Sequence, residues 1–333
     1  MADIGTESIW SSLERTIAKP SGSAPAPTVV VATGSSGEKL FWEFFAGSLR
    51  NRNTRRAYLR AVQDFFAFLE GRGVGTLTEI RPLHVAAHVE ALTHSHAPAT
   101  AKLRLAAIRA LLDWMVVSQA IPSNPAASVR APRHVVRRGS TPVLAREDAR
   151  RLLGSLRTDT VVGLRDPALM ALMIYSFARV GAAVAMWVED LRPTGRRWSV
   201  RLREKGGLAH EVPAHHNLEA WLHDYIEAAG LADDPEGWLF RAVEGRTGRL
   251  TGRPLQARNA LDMVRRRARD AGIVVPGLCN HSLRATGITT YIAAGGALET
   301  AQAIAGHASP RTTQLYDRSG DEIALDEIER IRL

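Results

Sequence analysis

At 333 residues with 45% hydrophobic and 23% charged side chains, the chain has room for two domains with sizeable cores and the make-up of an ordinary soluble protein. A net charge of +9 points to a polyanionic partner, nucleic acid first among them, and Arg, whose planar fork can donate two parallel hydrogen bonds to phosphate, greatly outnumbers Lys. The single Cys279 excludes an intramolecular disulfide and speaks against a Cys-based metal site, while the lack of an uninterrupted apolar run or a signal-peptide pattern leads us to expect a cytosolic (cytoplasmic) protein with no membrane contact.

Residues 1–37 read as an extension. Within it, 9–18 carry the pattern of a short helix and 20–27, rich in Pro, Ser and Ala, have linker composition. Thr33-Gly34-Ser35-Ser36-Gly37 is a second linker-like stretch and lacks the Gly-Lys-Ser/Thr ending of a phosphate-binding loop. From 39 to 119 the apolar spacing is helical. Phe41, Phe44, Phe45 and Leu49 mark a first helix. Tyr58, Val62, Phe65, Phe66 and Leu69 mark a second, capped by Asn53 or Thr54 and ended by Gly71 and Gly73. Pro82 opens a third, and residues 99–117 form a fourth with Leu103, Ala107, Leu111 and Trp114 on one side. These make a compact all-α domain at 38–122. Arg50, Arg52, Arg55, Arg56 and Arg60 crowd one end of it, either as a DNA-backbone face or as a solvated basic surface. Residues 123–140, with Arg130, Arg133, Arg137 and Arg138, read as a basic linker.

A second domain spans 141–333. Residues 146–156 are helical, and Asp166-Pro167 has the form of an N-cap followed by proline at the first helical position. Residues 198–202 and 210–213 read as two strands turning at Gly206-Gly207. Helices resume at 218–229, 257–271 and from Asn280, which is positioned to cap the helix carrying His281. Ser309-Pro310 starts a further short helix that would carry Tyr316. Ile323, Ile328, Ile331 and Leu333 give the tail an apolar side that needs a host, in its own domain or on a neighbour.

Three strings in this second domain concentrate the chemistry: His281-Ser282-Leu283-Arg284, Gly306-His307 and Tyr316. A His and an Arg three apart on a helix share a face, and donors gathered beside a phenol suit phosphoryl transfer without a metal. Their order and spacing closely resemble the C-terminal signature of the tyrosine recombinases, the phage-integrase family. That resemblance implies a mainly α fold, with an N-terminal four-helix core-binding (SAM-like) domain and a mostly helical catalytic domain holding a small antiparallel sheet. It also implies metal- and ATP-independent cleavage and rejoining of DNA through a 3′-phosphotyrosyl intermediate, with no cofactor. Tyr316 would be the nucleophile, Arg284 and His307 would stabilise the phosphorane, and His281 would assist proton transfer.

An earlier catalytic Arg in this family usually falls inside Gly-x-Arg-x-x-Glu. Here Arg179 is in place, but Phe177 stands at the Gly position and Ala182 at the acid, so what replaces the acid is open. The family's hairpin Lys matches Lys205, the only Lys from 141 onward, which would protonate the leaving 5′ oxygen. Implied partners are double-stranded DNA carrying a specific site and three further copies of the chain in a homo-tetramer, with tail exchange one way to join them. A type IB topoisomerase and a non-catalytic DNA-binding protein of the same fold are the alternatives.

Overall fold

The computed structural model describes residues 26–133, 139–155, 159–204, 209–245 and 247–317. The expectations for 1–25, for Arg137 and Arg138, for Lys205 and for the apolar tail lie outside the described residues. The chain divides into two compact units, Met1–Val135 and Val136–Leu333.

The first unit is helical: α1 (Thr28–Val31), α2 (Ser35–Glu43) running into a π-turn at Phe44–Ser48, α3 (Arg52–Glu70), α4 (Pro82–Ser95) and α5 (Pro98–Val117). Its core is aromatic at one end. Phe41, Phe44, Phe45, Phe65 and Phe66 are buried together, with Phe41 meeting Phe45 edge-on at 5.1 Å, and Leu105, Ile108, Leu111 and Met115 of α5 close the other side. The core starts earlier than the linker reading of 1–37 implied, because Ala26, Val29 and Val30 are buried in it and the second Gly/Ser stretch opens α2. The cap of α3 is Asn51, whose Oδ1 accepts from the N–H groups of Asn53 and Thr54, the residues expected to cap it themselves.

The second unit contains α6 (Arg146–Gly154), α7 (Val161–Tyr175) and α8 (Val180–Ala183), then β1 (Leu191–Thr194), β2 (Arg197–Arg203) and β3 (Ala209–Pro213). It continues with α9 (His216–Ala229), β4 (Arg241–Val243), β5 (Leu250–Pro254), α10 (Ala257–Asp270), α11 (Asn280–Ala293), α12 (Leu298–Ala305) and α13 (Pro310–Gln314). The first sheet is antiparallel in the order β1-β2-β3, with Val200 opposite Val212 and Leu202 opposite His210, so one face buries alternate residues. The short β1, β4 and β5 were not foreseen. Among the described residues no helix is long and apolar enough to cross a membrane.

The central element is α7, buried on every side from Ala168 to Met173. Asp166-Pro167 does not start it. Thr160 is the cap, accepting from Gly163 N–H at 3.0 Å, and Pro167 lies inside the helix. Asp166 is fully buried because its carboxylate is claimed by Arg165 at 2.6 Å and Arg267 at 2.8 Å, so tertiary ion pairing overrides a strong local capping signal. α11 crosses α7 at Gly287, where a Cβ would lie 2.0 Å from the Ile174 carbonyl oxygen. Only glycine permits that approach.

Candidate active site

Arg179, Glu204, His281, Arg284, His307 and Tyr316 converge in the second unit. The cap of α11 falls one residue earlier than expected: Cys279 takes the cap position, and Asn280, the first helical residue, donates its side-chain amide to the Ala257 carbonyl at 3.1 Å. This start turns His281 to the exposed rim and Arg284, one turn on, into the interior.

Arg284 is fully buried. Its guanidinium donates to the carbonyl oxygens of Phe177 and Ala305, the latter at 2.7 Å, and to His307 Nε2 at 2.6 Å. Burial, then Arg179, lowers its pKa to about 10, while the Tyr316 hydroxyl and the Glu204 carboxylate act in the opposite sense. The guanidinium remains charged at neutral pH. A buried charge fixed by carbonyls and an imidazole is a preorganised anion site.

The carbonyl of Phe177 reaches Arg284 because Phe177 adopts φ +53°, in the left-handed region. A glycine takes that conformation freely, which gives a backbone reason for the Gly usual there in the resembling family. Phe177 bears a strain of about 1–2 kcal/mol. Its ring is buried and meets Tyr291 edge-on at 6.0 Å, an apolar contact that offsets the strain.

His307 follows Gly306, whose φ of +56° ends α12 in a left-handed cap. An Arg can only donate, so Nε2 of His307 is the acceptor and the ring proton sits on Nδ1, where it donates to Thr313 Oγ1 at 2.9 Å. Burial first, then Arg284, Arg179 and His281, lowers the His307 pKa to about 3, so the ring is neutral. In this arrangement His307 orients Arg284 and lies parallel to the Tyr316 ring, with centroids 5.9 Å apart and an 11° angle.

Tyr316 is in the turn two residues past α13, not on the helix as expected. Its hydroxyl lies 2.7 Å from His281 Nε2. Burial, Arg284 and Arg179, in that order, hold the His281 pKa below its ordinary value, which keeps the ring a lone-pair acceptor for the phenol proton. The backbone around Tyr316 is pinned twice: Thr289 Oγ1 donates to its carbonyl at 3.1 Å, and Gly139 N–H donates to the Leu315 carbonyl at 3.0 Å.

Arg179 caps α8, and Ala182 is packed into the apolar core. The carboxylate beside Arg179 comes instead from Glu204, the residue after β2, whose Oε2 accepts from Arg179 Nη1 at 2.5 Å. Its Oε1 lies 4.0 Å from Arg284 Nη1. Sequence reasoning missed Glu204. The signal in the sequence is an acid directly before Lys205, just after the 198–202 strand that pairs with 210–213.

In the first unit Arg50, Arg52, Arg56 and Arg60 are exposed around the start of α3, whereas Arg55 is half-buried and donates from Nε and Nη2 to the Leu49 carbonyl. Arg130 and Arg133 are exposed beyond α5.

The sequence model of the Phage integrase family matches residues 142–322, and that of the phage integrase N-terminal SAM-like domain matches 40–119. The chain is 31% identical over 279 residues to tyrosine recombinase XerC of Mycobacterium bovis (strain BCG / Pasteur 1173P2), covering 80% of this chain and 88% of that one. Its fold is similar to XerH site-specific recombinase bound to difH substrate in a pre-cleavage complex, with a TM-score of 0.65, 17% identity, and coverage of 90% of this chain and 83% of that one. It is also similar to a lambda integrase tetramer bound to a Holliday junction, with a TM-score of 0.65, 16% identity, and coverage of 97% and 91%.

Proposed function

Because the chain belongs to the phage integrase family of tyrosine recombinases, we propose that it cuts and rejoins double-stranded DNA at a specific site through Tyr316, without metal or ATP. The observation that carries this reading is a phenol 2.7 Å from a neutral imidazole and beside a buried, charged Arg284. A Tyr hydroxyl must lose a proton to attack, and His281 is in hydrogen-bond reach to take it. The Tyr316 oxygen then bonds to the scissile phosphorus as the bond to the 5′ oxygen breaks, leaving a 3′-phosphotyrosyl link and a 5′ hydroxyl. Arg284 and Arg179 meet the charge on the non-bridging oxygens, and His307 holds Arg284 in place for this. Lys205, which matches the family's hairpin Lys and precedes the Val212-Pro213 end of β3, gives the proton to the leaving oxygen in this reading. A 5′ hydroxyl from a partner strand reverses the step, and one ester replaces another, so no external energy source is consumed.

The exposed arginines of the first unit serve as phosphate contacts in this reading. Strand exchange between two duplexes calls for four protomers, and the likeness to a tetrameric integrase assembly supports that number. The apolar side of the tail has a host available in a groove of about 1040 Å³ in the second unit, lined in part by Leu153, Ile174, Trp221, Tyr291 and Ile304, in its own protomer or a neighbour's.

The test is an SDS-resistant protein–DNA adduct on DNA flanking the native locus, with EDTA present and Tyr316→Phe alongside. Wild type alone should form the adduct. Joined products between two duplexes establish recombination, and relaxed plasmid without joining supports a type IB topoisomerase. Specific binding with no adduct from either protein overturns the catalytic reading.

A further inference from the structure

We infer that Glu204 is the positioning carboxylate of the cleavage site, standing in for the acid absent at Ala182 and holding Arg179 in register with Arg284. The inference rests on the strand-cleavage reading above. Three observations carry it.

The first is the balance of burial and charge. The Glu204 side chain is 4% exposed and Arg284 1%, whereas Arg179 is 37% exposed. A carboxylate removed from water to this degree is costly unless cations surround it. Glu204 has Arg179 on Oε2 and Arg284 4.0 Å from Oε1, and that second oxygen has no hydrogen-bond partner among the described residues. Two like charges brought together to receive phosphate repel each other until it arrives. A fixed anion between them lowers that repulsion.

The second is the direction of approach. Glu204 meets Arg179 through Nη1, and the partly exposed guanidinium keeps further N–H groups for a phosphate. The carboxylate thus supports Arg179 from the buried side and does not occupy its open face.

The third is chain position. Glu204 directly follows β2, so its pairing with Arg179 ties the end of that strand to the start of α8. A Cβ added at Gly306 would lie 3.6 Å from Glu204 Cγ, which places the same carboxylate beside the loop that presents His307.

The experiment compares Glu204→Gln, Glu204→Ala and Glu204→Ala combined with Ala182→Glu. Single-turnover adduct formation, DNA affinity, thermal melting, and crystal structures of wild type and E204Q without DNA are the measurements. E204Q keeps the shape and removes the charge. It should stay folded, with a melt lowered by loss of the buried ion pair, and bind DNA within about twofold, yet form adduct about 100-fold more slowly, the scale of a misplaced catalytic group. The added Glu at 182 should restore at least about tenfold of the E204A loss by resupplying the carboxylate. The Arg179 guanidinium should leave its wild-type place in the E204Q crystal. Adduct formation by E204Q within about threefold of wild type, or faster than wild type, overturns the inference, because preorganisation would then not depend on this charge. A loss that follows melting and DNA affinity in equal measure, with no rescue, overturns it too. If wild type forms no adduct, strand cleavage itself fails, and an unmoved Arg179 in E204Q independently overturns the positioning role.

Discussion

Gly287→Ala tests the helix crossing that builds the site. Two effects oppose each other. Alanine in a helix interior is favoured over glycine by about 1 kcal/mol. Against this, the new Cβ would fall 2.0 Å from the Ile174 carbonyl oxygen and 2.9 Å from Phe177 Cδ1, where real Cβ contacts are at least 3.0 Å. The first neighbour is backbone, so relief needs α7 and α11 to part by about 1 Å, and overpacking of this kind costs about 3 kcal/mol at the upper end of its range. The net loss is about 2 kcal/mol, or about 4–8 °C in melting temperature for a unit near 200 residues. The displacement also passes through Phe177, whose carbonyl holds Arg284, so cleavage measured well below the melt should fall about 100-fold. Calorimetry with single-turnover adduct formation checks both. A melt unchanged or raised would show that helix propensity outweighs the contact and would refute the reasoning.

Acid sensitivity of the first unit should trace to His88, which burial, seconded by Arg104, holds at about 4 between Phe65 and Phe68. Folding favours its neutral form, so its contribution is complete above the ordinary imidazole value and lost as pH falls toward 4. This amounts to up to about 3 kcal/mol, which His88→Leu should abolish in urea melts across that range. Cleavage should fall on the acid side only as His281 protonates, at a pH below the ordinary imidazole value because its pKa is lowered. His281→Gln should slow cleavage and remove that limb, and a limb surviving unchanged would assign it elsewhere. Thr313→Val strands the buried Nδ1–H of His307, costing about 1–3 kcal/mol of stability. It should also slow adduct formation about tenfold by loosening Arg284, while Thr313→Ser, which keeps the acceptor, should preserve both.

Tyr316, His281, Arg284 and His307 were legible because they fall within one short stretch of chain where helix periodicity and glycine caps set their spacing. Arg179 could be located from the string around it, but its anion could not. The expected acid position, 182, lies one helical turn away, and the structure supplies the carboxylate 25 residues on, from the residue after β2, a long-range pairing with no local periodicity. Asp166-Pro167 failed for a related reason: the dipeptide has every local mark of a helix start, yet two arginines, one from α10, pull its carboxylate into the interior. The strands β1, β4 and β5 run only three to five residues, too few for an alternating pattern to stand out. The left-handed Phe177 was visible only as a departure from an expected glycine, and its meaning needed a backbone angle.

The bond from Gly139 to the Leu315 carbonyl has a mechanical consequence. Gly139 lies near the end of the basic segment expected at 123–140, and Leu315 directly precedes Tyr316, so the backbone there is bonded one residue from the candidate nucleophile. The fit is tight, since a Cβ at Gly139 would lie 2.8 Å from the Leu315 oxygen. The positions of Gly139 and of the Tyr316 phenol are therefore coupled variables. In the proposed reaction, a change in the length of residues 130–138 is expected to alter the rate of Tyr316 adduct formation, read by the same single-turnover assay.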